Sequence, residues 1–212
     1  MVRFPFCPLI RSLIRVMVLA GLALAASTTW AARNILVFGD SLSAGYGIPQ
    51  DAAWPSLLAK RLEQNRLDYS VTNASISGET TSGGRTRLAA ALDKTQPAVV
   101  VIALGANDGL RGLPVKTMRD NLAAMAEAAQ KKNARVLIVG QRLPPNYGPY
   151  ATQFHEAFAA VAKEKKTALV DFLLDGVATR PELFQADNLH PTAEAQPMLL
   201  DTVWQGLAPL LK

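Results

Sequence analysis

Short apolar runs alternate with amphipathic segments along almost the whole chain, and this alternation limits the possible folds more than any other feature. Ile35-Leu36-Val37-Phe38 and Ala98–Leu104 (AVVVIAL) are continuous apolar stretches rich in β-branched residues, and Ala134–Val139 (ARVLIV) is one broken only by Arg135. Their length and lack of polar alternation suit strands buried on both faces of a parallel sheet. Tyr69–Ala74 and Thr167–Val170 are weaker and read as two further strands. Between the runs, Ala53–Arg66, Ser82–Leu92, Val115–Lys132, Tyr150–Lys166 and Thr192–Leu207 carry apolar residues at helical spacing. This order predicts βαβ units with right-handed crossovers and helices on both faces of the sheet. No repeat, low-complexity tract or linker interrupts it, so residues 32–212 read as one domain.

The first 31 residues stand apart. Arg3, Arg11 and Arg15 form a positive stretch without acids, and Val16–Ala26 is almost wholly apolar. Small residues at Thr29 and Ala31 complete the pattern of a secretory signal peptide cleaved after Ala31. The apolar run is short for a membrane span of about 20 residues, so no stable anchor is expected after processing. The protein is expected in the periplasm or outside the cell.

The whole chain holds 22 basic and 17 acidic residues. Residues 1–31 take three arginines and no acid with them, leaving 19 against 17, a net charge of +2. No Lys/Arg stripe with interleaved aromatics is present, so nucleic acid is not an expected partner. Cys7, the single cysteine, leaves with the leader, and the mature chain relies on its core and not on disulfides. Two histidines and no cysteine do not make a metal cluster. No metal or cofactor is expected, and the mature chain is expected to be a monomer.

Four places carry chemistry. Ser41 follows Gly39-Asp40 just past the first strand, where open α/β sheets bind ligands. It is a candidate nucleophile, or simply the cap of the next helix. The G-x-S-x-G elbow does not apply, because Ser43 stands where its second glycine belongs. Gly78 follows the second strand and can bring a backbone N–H close to a ligand, or serve only as a turn residue. Asn107, after the third strand, offers an uncharged donor suited to an oxyanion, or caps a turn. Asp187 and His190 are three residues apart, so a turn can set the carboxylate on the imidazole, in a relay or in a surface ion pair. Asp40 is expected to make a local structural hydrogen bond. His155 is expected to be a partly exposed structural histidine with no acidic partner.

These blocks, Gly39-Asp40-Ser41-Leu42, Gly78, Gly105-Ala106-Asn107-Asp108 and Asp187-x-x-His190, resemble in kind and order those of the SGNH, or GDSL, hydrolases. The stretches Gly39–Gly47 (GDSLSAGYG), Ala103–Asp108 (ALGAND) and Arg142–Gly148 (RLPPNYG) look most like the bacterial periplasmic thioesterase, lysophospholipase and arylesterase group. The resemblance implies a flavodoxin-like three-layer α/β/α sandwich with a five-stranded parallel sheet. It implies Ser41 as nucleophile, His190 as base and Asp187 as its orienting acid. Ser41 and Gly78 N–H groups and the Asn107 amide would form the oxyanion hole. The implied substrates are small esters and thioesters of acyl or aryl groups, and lysophospholipids.

Leu110–Pro114 and Arg142–Tyr147 are rich in Leu, Pro and Tyr, so Leu110, Leu143, Pro144 and Tyr147 are expected to wall the substrate pocket. A carbohydrate deacetylase would keep the same catalytic groups around a polar, open pocket. A non-catalytic periplasmic lipid carrier would need no nucleophile.

Overall fold

The computed structural model describes residues 33–211. Five strands, β1 (Arg33–Gly39), β2 (Tyr69–Asn73), β3 (Val99–Ala103), β4 (Arg135–Val139) and β5 (Ala168–Val170), form one sheet. All neighbouring pairs are parallel, in the order β2-β1-β3-β4-β5. Seven α-helices accompany them: α1 (Ser41–Ala44), α2 (Trp54–Gln64), α3 (Thr81–Thr95), α4 (Ala106–Leu110), α5 (Val115–Lys131), α6 (Pro149–Lys165) and α7 (Gln196–Leu207).

Alternate side chains of the strands enter two separate cores. Ile35, Val37, Val101 and Leu137 pack against Trp54, Leu58 and Leu62 of α2 and Leu199, Val203 and Leu207 of α7. Leu36, Phe38, Ile102 and Ile138 pack against Leu88 of α3, Leu122 and Met125 of α5 and Phe154 and Phe158 of α6. The result is three layers, helix on sheet on helix. Because both faces are covered, the central strands carry no polar alternation.

The expected strands are present, each with ends within two residues of the sequence reading. The last helix differs more: it starts at Gln196 and not at Thr192. Residues 183–192 explain this. Gln185 N donates to His190 O at 2.8 Å, Thr192 N donates to Leu183 O at 2.8 Å, and Phe184 pairs with Pro191 in an antiparallel bridge. That backbone is committed to a hairpin before the helix can begin. The expected signal peptide lies outside the described residues.

The order β2-β1-β3 reverses the winding between β1 and β3. Register aligns Gly39 with Ala103, and Val37 with Asn73, so the three strands end nearly level. The crevice at that switch point is where such sheets bind ligands.

Candidate active site

Ser41 opens α1 directly beyond β1. Asp40 caps that short helix, its Oδ1 accepting from Leu42 N at 3.0 Å. The local bond expected of Asp40 is therefore present, and the cap is Asp40 and not Ser41. Asp40 is fully buried, and its Oδ2 has no protein partner. Burial pushes its pKa up to about 7; the Leu42 N–H opposes this, and the nearby Asp108 adds to it.

The hairpin at 183–192 carries the other two groups. Asp187 Oδ1 accepts from the backbone N–H of Leu189 and of His190, both at 3.0 Å. Asn188 takes the left-handed conformation this turn needs, with φ 56°. Asp187 Oδ2 then lies 2.6 Å from His190 Nδ1, and His190 Nε2 lies 2.9 Å from Ser41 Oγ. The His190 N–H, the imidazole and the Leu189 N–H hold the Asp187 carboxyl well below the usual carboxylate range. With Asp187 ionised, the network assigns the imidazole proton to Nδ1 and leaves Nε2 to accept from Ser41. Tyr46 packs on the imidazole, with ring centroids 4.5 Å apart.

Gly78 and Asn107 reach the same crevice from β2 and β3. Gly78 has φ 79°, and its carbonyl accepts from Arg111 Nη2 at 3.0 Å. Asn107 Nδ2 donates one hydrogen to Glu79 O at 3.0 Å. An amide nitrogen has two, so this bond fixes the side chain and leaves a second N–H. The turn into α4 needs Gly105, whose φ is 122° and where a Cβ would lie 2.9 Å from Phe158 Cζ. Asp108 points the other way, into the protein. It accepts from Thr81 N at 2.8 Å and Thr81 Oγ1 at 2.5 Å, while Asn121 Nδ2 donates to Thr81 Oγ1 at 3.2 Å. This buried set fastens α3, α4 and α5 together behind Asn107.

A cavity of about 590 Å³ opens beside Ser41 and His190. Leu110, Leu143 and Pro144 line it. Tyr147 does not: its hydroxyl donates to Leu110 O at 3.3 Å, so it props the wall from behind. Phe172, Leu174 and Phe184 supply an apolar wall that the sequence did not disclose. They sit in irregular chain after β5, where no periodicity marks them. For Phe172 and Leu174 the one signal is an aromatic-aliphatic cluster just past a strand end; Phe184, in the 183–192 hairpin, has none.

His155 departs from expectation. Its Nε2 lies 3.2 Å from Asp171 Oδ1 and its Nδ1 3.3 Å from Gln141 O. It therefore has an acidic partner, contributed from the end of β5. Asp171 also binds Arg142. The cluster ties α6 to the cavity wall and makes no contact with Ser41.

A parallel α/β sandwich with serine, imidazole and carboxylate in series at its switch point defines the class of α/β acyl hydrolases. Within that class, the chain belongs to the GDSL-like lipase/acylhydrolase family, which it matches over residues 37–196. It is 50% identical to esterase TesA of Pseudomonas aeruginosa over 182 residues, covering 85% of this chain and 90% of that protein. It is 40% identical to thioesterase 1/protease 1/lysophospholipase L1 of Escherichia coli K12 over 185 residues, covering 85% and 86% of the two chains. A crystal structure of TesA superposes with a TM-score of 0.83 at 50% identity, over 84% of this chain and 100% of that one.

Proposed function

We propose that this protein hydrolyses carboxylic esters and thioesters of acyl or aryl groups, lysophospholipids included, through an acyl-Ser41 intermediate. The observation that carries the reading is the unbroken series Ser41 Oγ, His190, Asp187 at the mouth of an apolar cavity. The names of the relatives, an esterase and a thioesterase/lysophospholipase, agree with it.

In this mechanism His190 Nε2 takes the Ser41 proton as Oγ attacks the carbonyl carbon. Asp187 stabilises the imidazolium that forms. The tetrahedral oxyanion is held by the N–H groups of Ser41 and Gly78 and by the uncommitted N–H of Asn107, each such donor being worth roughly 3–4 kcal/mol. His190 returns the proton to the departing alcohol or thiol. Water, activated by the same imidazole, then attacks the acyl-enzyme and frees Ser41.

The cavity wall of Leu110, Leu143, Pro144, Phe172 and Leu174 suits an alkyl or aryl group better than a sugar. A p-nitrophenyl ester series from acetate to octanoate tests this, with rising kcat/KM expected toward the longer chains. A strong preference for acetate would point to a carbohydrate deacetylase instead. Labelling by a fluorophosphonate probe, lost in Ser41→Ala, is expected of the nucleophile. An unlabelled native protein would fit a lipid carrier and sink the enzyme reading.

A further inference from the structure

Among the described residues, large hydrophobic side chains remain exposed at Tyr46 (52%), Ile76 (50%) and Leu189 (42%). Single exposed apolar residues are ordinary, but two of these line the cavity and the third adjoins its lining in sequence. Tyr46 packs on His190, Leu189 precedes it, and both line the cavity. Ile76 stands outside the lining, two residues before Gly78, which belongs to it. Loops after α1 and in the 183–192 hairpin thus each expose one apolar side chain at the cavity, and the loop after β2 exposes Ile76 next to Ser77 of its lining. Exposed apolar groups gathered in this way mark a contact surface.

We infer that this rim docks the cavity mouth onto the surface of aggregated single-chain lipids. The inference rests on the ester-hydrolase reading and names the physical form in which a long-chain substrate is met. Single-chain lipid esters self-assemble, and an acyl chain leaving such an aggregate has to cross water unless the cavity opens against it. The rim is continuous with the apolar cavity, so a chain moving from lipid to enzyme stays in apolar surroundings throughout. A second copy or another protein fits the rim poorly: three side chains fall far short of the roughly 800 Å² per partner of a stable interface. Such a partner would also close the mouth to substrate. Tyrosine and aliphatic tips suit the headgroup–acyl boundary. Among the described residues no helix is long and apolar enough to cross a membrane, so the contact made by these residues is peripheral.

Ile76 is the residue to change, because it lies outside both the cavity lining and the Ser41–His190–Asp187 series. Its backbone N–H donates to Gly39 O, and substitution leaves that bond in place. The experiment uses mature protein and Ile76→Glu, both checked by circular dichroism, with Ile76→Ser as a milder second variant. Hydrolysis of palmitoyl lysophosphatidylcholine is followed across its critical micelle concentration, with monomeric p-nitrophenyl butyrate as the soluble control. Co-sedimentation with phosphatidylcholine vesicles reads docking without turnover.

The wild type is expected to bind vesicles and to accelerate once micelles form. Ile76→Glu is expected to lose vesicle binding and about tenfold in micellar rate, with butyrate hydrolysis within about twofold of wild type. Butyrate hydrolysis without vesicle binding or micelle dependence would overturn the docking and leave the hydrolase intact. Equal losses of the variant on both substrates would overturn it too, as would a wild-type dimer that Ile76→Glu dissociates. Vesicle binding with no hydrolysis of either ester would instead sink the hydrolase reading.

Discussion

His190 and His155 each lie against a carboxylate, yet they differ in what else they touch. His190 Nε2 faces Ser41 Oγ, whereas both His155 ring nitrogens face the oxygens of Asp171 and Gln141. His190→Ala is therefore expected to lower kcat by on the order of 10⁴, and His155→Ala to leave it within a few-fold. Steady-state assay of both on one p-nitrophenyl ester decides, and the reverse result would refute the assignment of the base. Asn107→Ala is expected to cost on the order of 10²–10³ in kcat with little change in KM, because its free N–H meets charge only in the transition state. A rise in KM alone would make Asn107 a ground-state binding group.

Asp40 gives a prediction of another kind. Its folded pKa of about 7 lies above its ordinary value of 3.8, so the unfolded chain releases this proton first as pH rises. The stability linked to this group is whole below about pH 4 and falls between about pH 4 and 7, by on the order of 4 kcal/mol. Asp40→Asn keeps the oxygen that caps Leu42 N and removes the ionisation. Its Tm is expected to exceed that of the wild type at pH 8, and by clearly more than at pH 5. Equal differences at both pH values would show that Asp40 does not titrate in this range.

At the scale of elements, the turn from β3 into α4 is the most constrained. Gly105→Ala puts a Cβ at φ 122° and 2.9 Å from Phe158 Cζ. A loss of about 1–3 kcal/mol is expected in denaturant unfolding, together with lower kcat, because Asn107 follows two residues later. The strands were legible in the sequence because burial on both faces removed every polar interruption, as in Ile35–Phe38 and Val99–Ala103. Their order was not, since neither Ile35–Phe38 nor Val99–Ala103 says which strand lies beside it; only the family resemblance bore on it. The Asp187–His190 pairing was legible because three residues of turn geometry contain it. The His155–Asp171 pairing was not, because it joins α6 to the end of β5 across the fold. Tyr147 misled for a related reason: composition placed it in the right loop but could not say which side of the wall it occupies.

For the whole molecule, the three-layer fold accounts for residues 33–211 with a sheet sealed on both sides. If residues 1–31 direct export, the mature chain begins at Ala32. N-terminal sequencing of the exported protein is expected to read Ala-Arg-Asn-Ile, and an intact Met1 in a membrane fraction would contradict the leader. The sealed core also explains how such a chain dispenses with disulfides, its one cysteine being Cys7.

Ser41 and His190 are 149 residues apart in sequence and 2.9 Å apart in space. Under the proposed mechanism, nearly the entire described chain lies between the attacking group and the group that activates it. On that reading, a polypeptide not yet extended to His190 carries a serine without its base. Competence requires the 183–192 hairpin to be seated against Ser41 at the start of α1. Ester turnover then serves as a clock for the completion of folding, and a chain cut short of His190 is inert however much of the sheet it retains.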